Sequence, residues 1–117
     1  MKVLIGELAA RTGVSPRSLR YYEKQGLLIP ERSVNGYREY PESAVDTVGV
    51  VRRLIAAGLC TGTIARVLPC VRAEGAQVVP CAGLVSELAV ERARITAQLA
   101  ELSHSRALLD EVIAAAQ

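Results

Sequence analysis

Gly13, Ser15 and Pro16 constrain the fold most, because together they separate two short helical segments near the N-terminus. The segment before them carries apolar residues that share one face of a helix, namely Leu4, Ile5, Leu8 and Ala9. Ser15 is a favoured N-cap residue and Pro16 suits the first helical position, so a second helix is expected to begin there. Its sequence, SPRSLRYYEKQ, stops before Gly26, because glycine readily adopts the left-handed conformation found just past helix ends. This spacing predicts a helix-turn-helix.

A β-hairpin is expected directly after the second helix. Residues 27–29 and 37–40 are its predicted strands, and they flank the polar turn 33–36. This turn contains Asn35 and Gly36, a pair favoured in tight hairpins because both residues tolerate positive φ. A hairpin in this place forms a wing beside the second helix, which is the element that enters the DNA major groove in helix-turn-helix proteins.

Two further helices and a linker are expected after the wing. A helix should start at Pro41 and carry its apolar stripe as far as Gly58, and a shorter helix should span 61–68 with Thr61 as N-cap. Pro69 is expected to end that helix. Residues 69–83 contain prolines, glycines and two of the three cysteines, a composition that predicts a linker.

From residue 84 to residue 117 the sequence has no Gly or Pro and predicts one long helix. Its apolar residues repeat with the seven-residue spacing of a coiled-coil seam. Nothing else in the chain could cover this stripe, so a second copy is expected to cover it. Arg92 and Arg106 also fall in the seam, where they either fix the register or snorkel towards nearby carboxylates. The predicted dimerisation residues are Leu88, Ile95, Leu99, Leu102, Leu109 and Ile113.

The predicted fold is therefore mainly α-helical, with a winged helix-turn-helix head at 1–68, a cysteine-bearing linker at 69–83 and a dimerisation helix at 84–117. Charge is distributed unevenly between these parts. Residues 1–66 hold ten Lys and Arg against six Asp and Glu, whereas residues 67–117 hold four against six. All four tyrosines lie in the first part, close to arginines, and the chain has no Trp or Phe. A basic, tyrosine-bearing head favours a polyanion as partner.

Several functional classes are disfavoured by the sequence. Glu7 and Arg11 interrupt the early apolar residues of a signal peptide, and no apolar run has the length of a membrane span, so a cytoplasmic protein without a membrane partner is expected. His104 is the only histidine, and no Gly-rich phosphate loop accompanies it, so an enzyme is not expected. A coiled-coil protein-interaction adaptor remains an alternative, although it would not need the arginines and tyrosines of the head.

The segments IGELAARTGVSPRSLRYYEKQGLL, NGYREY and VRRLIAAGLCTGTIARVL resemble the MerR family of transcription regulators. This resemblance covers residues 4–68 closely and 84–115 in kind. It implies a homodimer held by an antiparallel coiled coil, with two winged heads on a palindromic promoter. It also implies that the dimer distorts the promoter DNA so that RNA polymerase can open it, which is indirect readout used as a switch. An effector-independent repressor or an architectural DNA-binding protein is the alternative.

The resemblance assigns DNA contacts to the second helix and the wing. Tyr22 is expected to pack inward beside Leu19 instead. Arg52 and Arg53, on the third helix, either reach the DNA backbone or stay solvated. The residues that match the family's recognition helix and wing are Ser15, Arg17, Ser18, Arg20, Tyr21, Gly36, Tyr37, Arg38 and Tyr40.

The cysteines carry the remaining hypothesis, which is a thiol-based sensor of a redox signal or of a soft metal ion. Three cysteines in a cytoplasmic protein are expected to be thiols. Metal-responsive relatives place one cysteine near the start of the long helix, where Cys81 lies, and others beyond its end, but no cysteine follows Cys81 here. Cys70 and Cys81 bracket the predicted linker, and they could form a disulfide, share a soft metal ion or simply pack as small apolar residues. Cys60 is expected to be structural.

Overall fold

The computed structural model describes residues 2–32, 35–75 and 77–116. The chain divides into two compact units between Cys81 and Ala82, called here the head and the tail. Within the described residues, no helix combines the length and apolar character needed to cross a membrane. The head contains, in chain order, β1 (Lys2–Leu4), α1 (Ile5–Thr12), α2 (Pro16–Lys24), β2 (Glu31–Arg32), β3 (Arg38–Pro41), α3 (Ala44–Ala56), α4 (Thr61–Val67), β4 (Val71–Glu74) and β5 (Gln77–Pro80), and the tail contains α5 (Val85–Ala114).

Helices α1 and α2 form the predicted helix-turn-helix, and their ends follow the local sequence. Ser15 caps α2 by accepting a hydrogen bond of 3.1 Å from the backbone N–H of Ser18, and Pro16 takes the first helical position. Gly13 ends α1 at φ +74°. Gly26 follows α2 at φ +80°, a conformation that L side chains rarely adopt. The predictions for this turn are confirmed.

The wing belongs to a three-stranded antiparallel sheet with the order β1-β3-β2. The prediction that residues 27–29 form its first strand is wrong, because Leu27 and Leu28 are both buried and therefore do not alternate between two faces. Strand β2 supplies the outer strand instead, and β1 lies on the other side of β3, where Val3 pairs with Tyr40. Residues 33 and 34 of the predicted turn lie outside the described residues.

The core of the head is built almost wholly from aliphatic side chains. Leu19 and Tyr22 of α2 are buried, as predicted. Within the described ranges, no buried side-chain nitrogen or oxygen lacks a hydrogen-bond partner. The largest fully buried residues are Tyr40, Leu8, Leu19, Ile64, Val48 and Val51.

The predicted linker is in fact a β-hairpin, so that prediction is wrong. Strands β4 and β5 pair antiparallel over four residues each, from Val71 opposite Pro80 to Glu74 opposite Gln77. β-Branched valines favour the strands, and Gly75, at φ +58°, helps the chain to reverse. Strand β4 lies against α3, which makes the hairpin part of the head.

Two helix starts also differ from the predictions. Helix α3 begins at Ala44 after Ser43, because Pro41 is taken into β3 and pairs with Lys2. Helix α4 has Cys60 at its N-cap position, so Thr61 is its first residue and not its cap.

Helix α5 is the main element of the tail. It has 30 residues, a length of about 45 Å at 1.5 Å per residue. It starts at Val85 after a short 3₁₀ turn at 82–84. From Thr96 to Ala116 every residue is exposed, the apolar ones included.

Candidate nucleic-acid interface

Helix α2 has one buried face and one solvent face. Leu19 and Tyr22 point into the core, whereas Arg17, Arg20 and Tyr21 are exposed. Residues three and four apart share a helix face, so these three side chains lie together. Their guanidinium groups and phenol ring form a basic, aromatic surface that suits base edges or phosphates.

Ser15 and Ser18 form the N-terminal end of this surface. The hydroxyl of Ser15 caps the backbone of α2 and donates to the Ser18 hydroxyl at 3.1 Å. The two predicted contact residues therefore already hold each other in place. The positive end of the α2 dipole lies here and adds to the attraction for phosphate.

The wing contributes an exposed tyrosine and a half-buried arginine. Tyr37, directly before β3, is 67% exposed. Gly36, at φ +80°, turns the backbone, and its carbonyl accepts a hydrogen bond of 3.2 Å from the Arg32 guanidinium. Arg38 extends from β3 towards α2 and is partly covered.

Tyr40 does not lie on the exposed surface of the wing, where a DNA contact was predicted for it. Its ring is 0% exposed, and its hydroxyl donates a hydrogen bond of 2.9 Å to Oε1 of Glu23 on α2. Burial and the neighbouring Glu23 carboxylate raise the pKa of Tyr40 to about 12. The prediction that Tyr40 contacts DNA is therefore wrong, because its side chain is buried and its hydroxyl is bonded to Glu23.

Glu23 is the residue that the sequence reasoning missed. Its Oε2 lies 3.4 Å from Nη2 of Arg38, while Oε1 holds Tyr40. One carboxylate thus links the recognition helix to the wing strand. The sequence feature that could have identified Glu23 is its spacing of four residues from Leu19. This spacing places a carboxylate at the edge of the buried face of α2, where it needs partners.

Arg52 and Arg53 differ in their surroundings. The Arg52 guanidinium donates a hydrogen bond of 3.1 Å to the carbonyl of Thr12, the last residue of α1. This contact satisfies a carbonyl at a helix end and ties α3 to the turn between α1 and α2. Arg53 is exposed on α3.

Cys70 and Cys81 are joined by a disulfide at the base of the β4–β5 hairpin. A backbone hydrogen bond of 2.7 Å from Cys81 N–H to Cys70 O closes the same end. Two sulfurs bonded to each other cannot act as thiolate ligands, and no group of three or more His, Cys, Asp or Glu able to hold a metal occurs in the described part of the chain. The residues present do not fit the soft-metal site that was one hypothesis for this pair.

Cys60 is an exposed thiol at the start of α4. Its Sγ lies 3.3 Å from the Thr63 hydroxyl. Hydrogen bonds from the Thr63 side chain, and then from backbone N–H groups at the helix start, lower the pKa of this thiol. It takes the N-cap position of α4, and the structural role expected for it stays a prediction.

The predicted seam of α5 is largely exposed. Leu88 and Ile95 are half-buried, and the remaining seam residues lie open to solvent. These exposed residues are Leu99, Leu102, Leu109 and Ile113.

Comparison with known proteins agrees with this geometry. Residues 4–69 match the model of the MerR HTH family of regulatory proteins. The mercuric resistance operon regulatory protein of Bacillus cereus is 41% identical over 69 residues, which are 58% of this chain and 52% of that protein. The regulator CueR of Bacillus subtilis is 51% identical over 41 residues, 35% of this chain and 29% of that one. The chain thus spans about half the length, or less, of the curated relatives that it matches.

Two solved structures share the fold. A MerR-family transcriptional regulator from Bacillus cereus superposes with a TM-score of 0.70 at 22% identity, covering 95% of this chain and 79% of that one. HiNmlR, a MerR-family regulator lacking the sensor domain and bound to promoter DNA, gives a TM-score of 0.56 at 23% identity, with coverage of 97% and 89%.

Proposed function

Because the chain belongs to the MerR family of helix-turn-helix regulatory proteins, we propose that it binds promoter DNA sequence-specifically as a homodimer and regulates transcription. One observation carries this proposal. Glu23 contacts both Tyr40 and Arg38, so the exposed arginine–tyrosine face of α2 and the wing lie side by side. A helix of this kind fits the major groove, while the wing reaches the neighbouring phosphates.

Helix α5 provides the dimer contact in this proposal. Its exposed leucines and isoleucines recur with the heptad spacing, and burying each against a second copy would contribute roughly 1.5–3 kcal/mol. An antiparallel pairing of two α5 helices brings two heads to a palindromic site. Bending and untwisting of the DNA between the half-sites then sets promoter activity through RNA polymerase, the proposed functional partner.

We assign the regulatory signal to the redox state of Cys70 and Cys81. Oxidation of the two thiols by hydrogen peroxide forms the S–S bond, transfers two electrons to the peroxide and yields two water molecules. The bond closes the β4–β5 hairpin, whose strand β4 lies against α3. Helix α3 in turn holds the end of α1 through Arg52, which gives the hairpin a physical route to the helix-turn-helix.

The first experiment selects binding duplexes from a random DNA pool and then measures affinity across a salt series. The expected result is a log–log slope of several units, because each neutralised phosphate contributes about −0.9. The selected duplex should also bind more tightly than a scrambled one. A flat salt response, or equal affinity for both duplexes, would contradict a sequence-specific DNA-binding function and favour the adaptor.

A second experiment tests the signal. Footprints of the reduced and the peroxide-oxidised dimer on the selected duplex should differ, and a Cys70→Ser variant should give one footprint under both conditions. Identical footprints for the two forms of the unaltered chain would favour an effector-independent repressor or an architectural protein. A footprint that changes only when Zn²⁺, Cu⁺ or Hg²⁺ is added to the reduced chain would contradict the redox signal.

A further inference from the structure

Glu23 joins the recognition helix to the wing through two contacts. Its side chain is 17% exposed, so the carboxylate is largely shielded from water. Tyr40 donates to one oxygen at 2.9 Å, and Arg38 pairs with the other at 3.4 Å. Arg38 and Tyr40 are two residues apart on β3 and share a face of the strand, which is why one carboxylate reaches both.

We propose that Glu23 is a positioning residue for DNA binding, which orients Arg38 towards a phosphate without contacting DNA itself. This inference rests on the DNA-binding function proposed above. A carboxylate on a DNA-facing surface repels phosphates unless a cation neutralises it, and Arg38 supplies that cation. The Tyr40 hydroxyl keeps the carboxylate fixed from the core side, so its position is set by the folded head and not by the DNA.

Arg38 retains the capacity to bind phosphate while it is paired. A guanidinium carries five N–H donors in a planar fork, and the contact with Glu23 involves one edge of it. The Arg38 side chain is 39% exposed, so part of the guanidinium remains open to solvent. Holding the long side chain in one conformation before binding reduces the entropy lost when it contacts DNA. Glu23 therefore acts by pre-organisation.

The test compares the effect of Arg38→Ala on the salt slope in two backgrounds, the unaltered chain and Glu23→Gln. Glutamine keeps an acceptor for Tyr40 and removes the charge that holds Arg38. In the unaltered chain, Arg38→Ala should make the slope shallower by about 0.9, the value for one lost phosphate contact. In the Glu23→Gln background the same change should alter the slope by less than half as much, because Arg38 is no longer held at that phosphate.

Glu39→Gln is the matched control. Glu39 neighbours Arg38 on β3 but points to the other face of the strand, and its substitution removes the same negative charge. In this background Arg38→Ala should keep its full effect on the slope. Should Glu23→Gln fail to fold in a thermal melt, Glu23→Asp replaces it, since the shorter side chain keeps the charge but withdraws it from Arg38. The Arg38→Ala effect should shrink there too.

Three results would overturn the proposal. An unchanged Arg38→Ala effect in the Glu23→Gln background would make Glu23 a stabilising residue only. A slope that becomes steeper in Glu23→Gln alone, but not in Glu39→Gln, would mean that Glu23 holds Arg38 away from DNA. If Arg38→Ala has no effect on the slope in the unaltered chain, Arg38 does not contact a phosphate. The absence of any salt slope in the unaltered chain would instead reject the proposed DNA binding, so the two failures are distinguishable.

Discussion

The head and the tail use the same kinds of apolar side chain and treat them oppositely. In the head, Leu8, Leu19 and Ile64 are fully buried within the chain's own fold. In the tail, Leu102 and Ile113 are each 69% exposed. Exposed apolar stripes of this kind mark interaction surfaces, whereas a closed core needs no partner. The contrast teaches that the head buries its apolar side chains within its own fold, whereas α5 exposes an apolar stripe of the kind found at interfaces.

The largest effect is expected from breaking the tail's proposed interface. Leu102→Glu places a charge in the seam, so the dimer should dissociate into monomers of 12.5 kDa in analytical ultracentrifugation. Affinity for a palindromic duplex should fall by roughly 100-fold or more, because the second head no longer binds at high effective concentration. Val90→Glu is the matched control, since Val90 is 68% exposed but lies off the seam. Equal behaviour of the two variants would contradict the seam.

In the head, the informative substitution is one that leaves a cavity in the core. Ile64→Ala removes a fully buried side chain between α4 and the rest of the core, and should lower the free energy of unfolding by about 2–5 kcal/mol in urea titrations. Ile55→Ala, which changes the same residue type at a 40% exposed position, should cost clearly less. Similar losses at both positions would mean that burial does not distinguish them.

The disulfide stabilises the head by restricting its unfolded chain. Cys70→Ser removes the cross-link between two residues that are 11 apart in sequence. Compared with the oxidised unaltered chain, this variant should lose about 3 kcal/mol of unfolding free energy. Dithiothreitol should produce the same loss in the unaltered chain. Cys60→Ser, at the free thiol, should leave stability within about 0.5 kcal/mol. A loss of stability only in Cys60→Ser would contradict the pairing.

Arg17→Ala should affect DNA binding without affecting the fold. A guanidinium that reads a base contributes about 1–3 kcal/mol of discrimination, so affinity for the selected duplex should fall more than affinity for a scrambled one. Lys24→Ala, at the far end of α2, should lower both affinities alike or neither. An equal loss on both duplexes for Arg17→Ala would restrict that arginine to phosphate contact.

The smallest expected effect is a dependence of head stability on alkaline pH. The folded head raises the pKa of Tyr40 from 10.0 to about 12, so the neutral phenol is favoured by folding. The resulting stabilisation is fully present below pH 10 and is lost as the pH rises from 10 to about 12, because the unfolded tyrosine ionises first. Urea titrations across this range should show the fall in stability, and Tyr40→Phe should reduce its slope. An unchanged slope would assign the fall to other groups.

The features that could be predicted from sequence are those that depend on neighbouring residues. Ser15, Pro16 and Gly26 determine the ends of α2 through their own backbone preferences, and the structure follows them. Tyr37 and Tyr40 could not be separated in this way, because identical side chains three residues apart in the wing differ only in what the rest of the fold places beside them. Tyr40 meets the core and Glu23, whereas Tyr37 meets solvent.

Residues 69–83 illustrate the same limit. Proline, glycine and cysteine in a short stretch are typical of a linker, but here the cysteines join the ends of a hairpin and Gly75 lies at its turn. Two cysteines eleven residues apart do not determine whether their Cα atoms come within 5.4 Å. That distance depends on the pairing of β4 with β5 and on their packing against α3, which local patterns do not encode.

The first strand of the sheet has a consequence for synthesis on the ribosome. β1 is made first, yet its partner β3 ends at Pro41, with the whole helix-turn-helix between them. A nascent chain that has released only α1 and α2 therefore leaves the N-terminal strand without its hydrogen-bonding neighbour. Closing that long loop carries an entropy cost before any strand contact forms. The helix-turn-helix and the wing should thus become native together, and a fragment ending before β3 should not be a smaller version of the head.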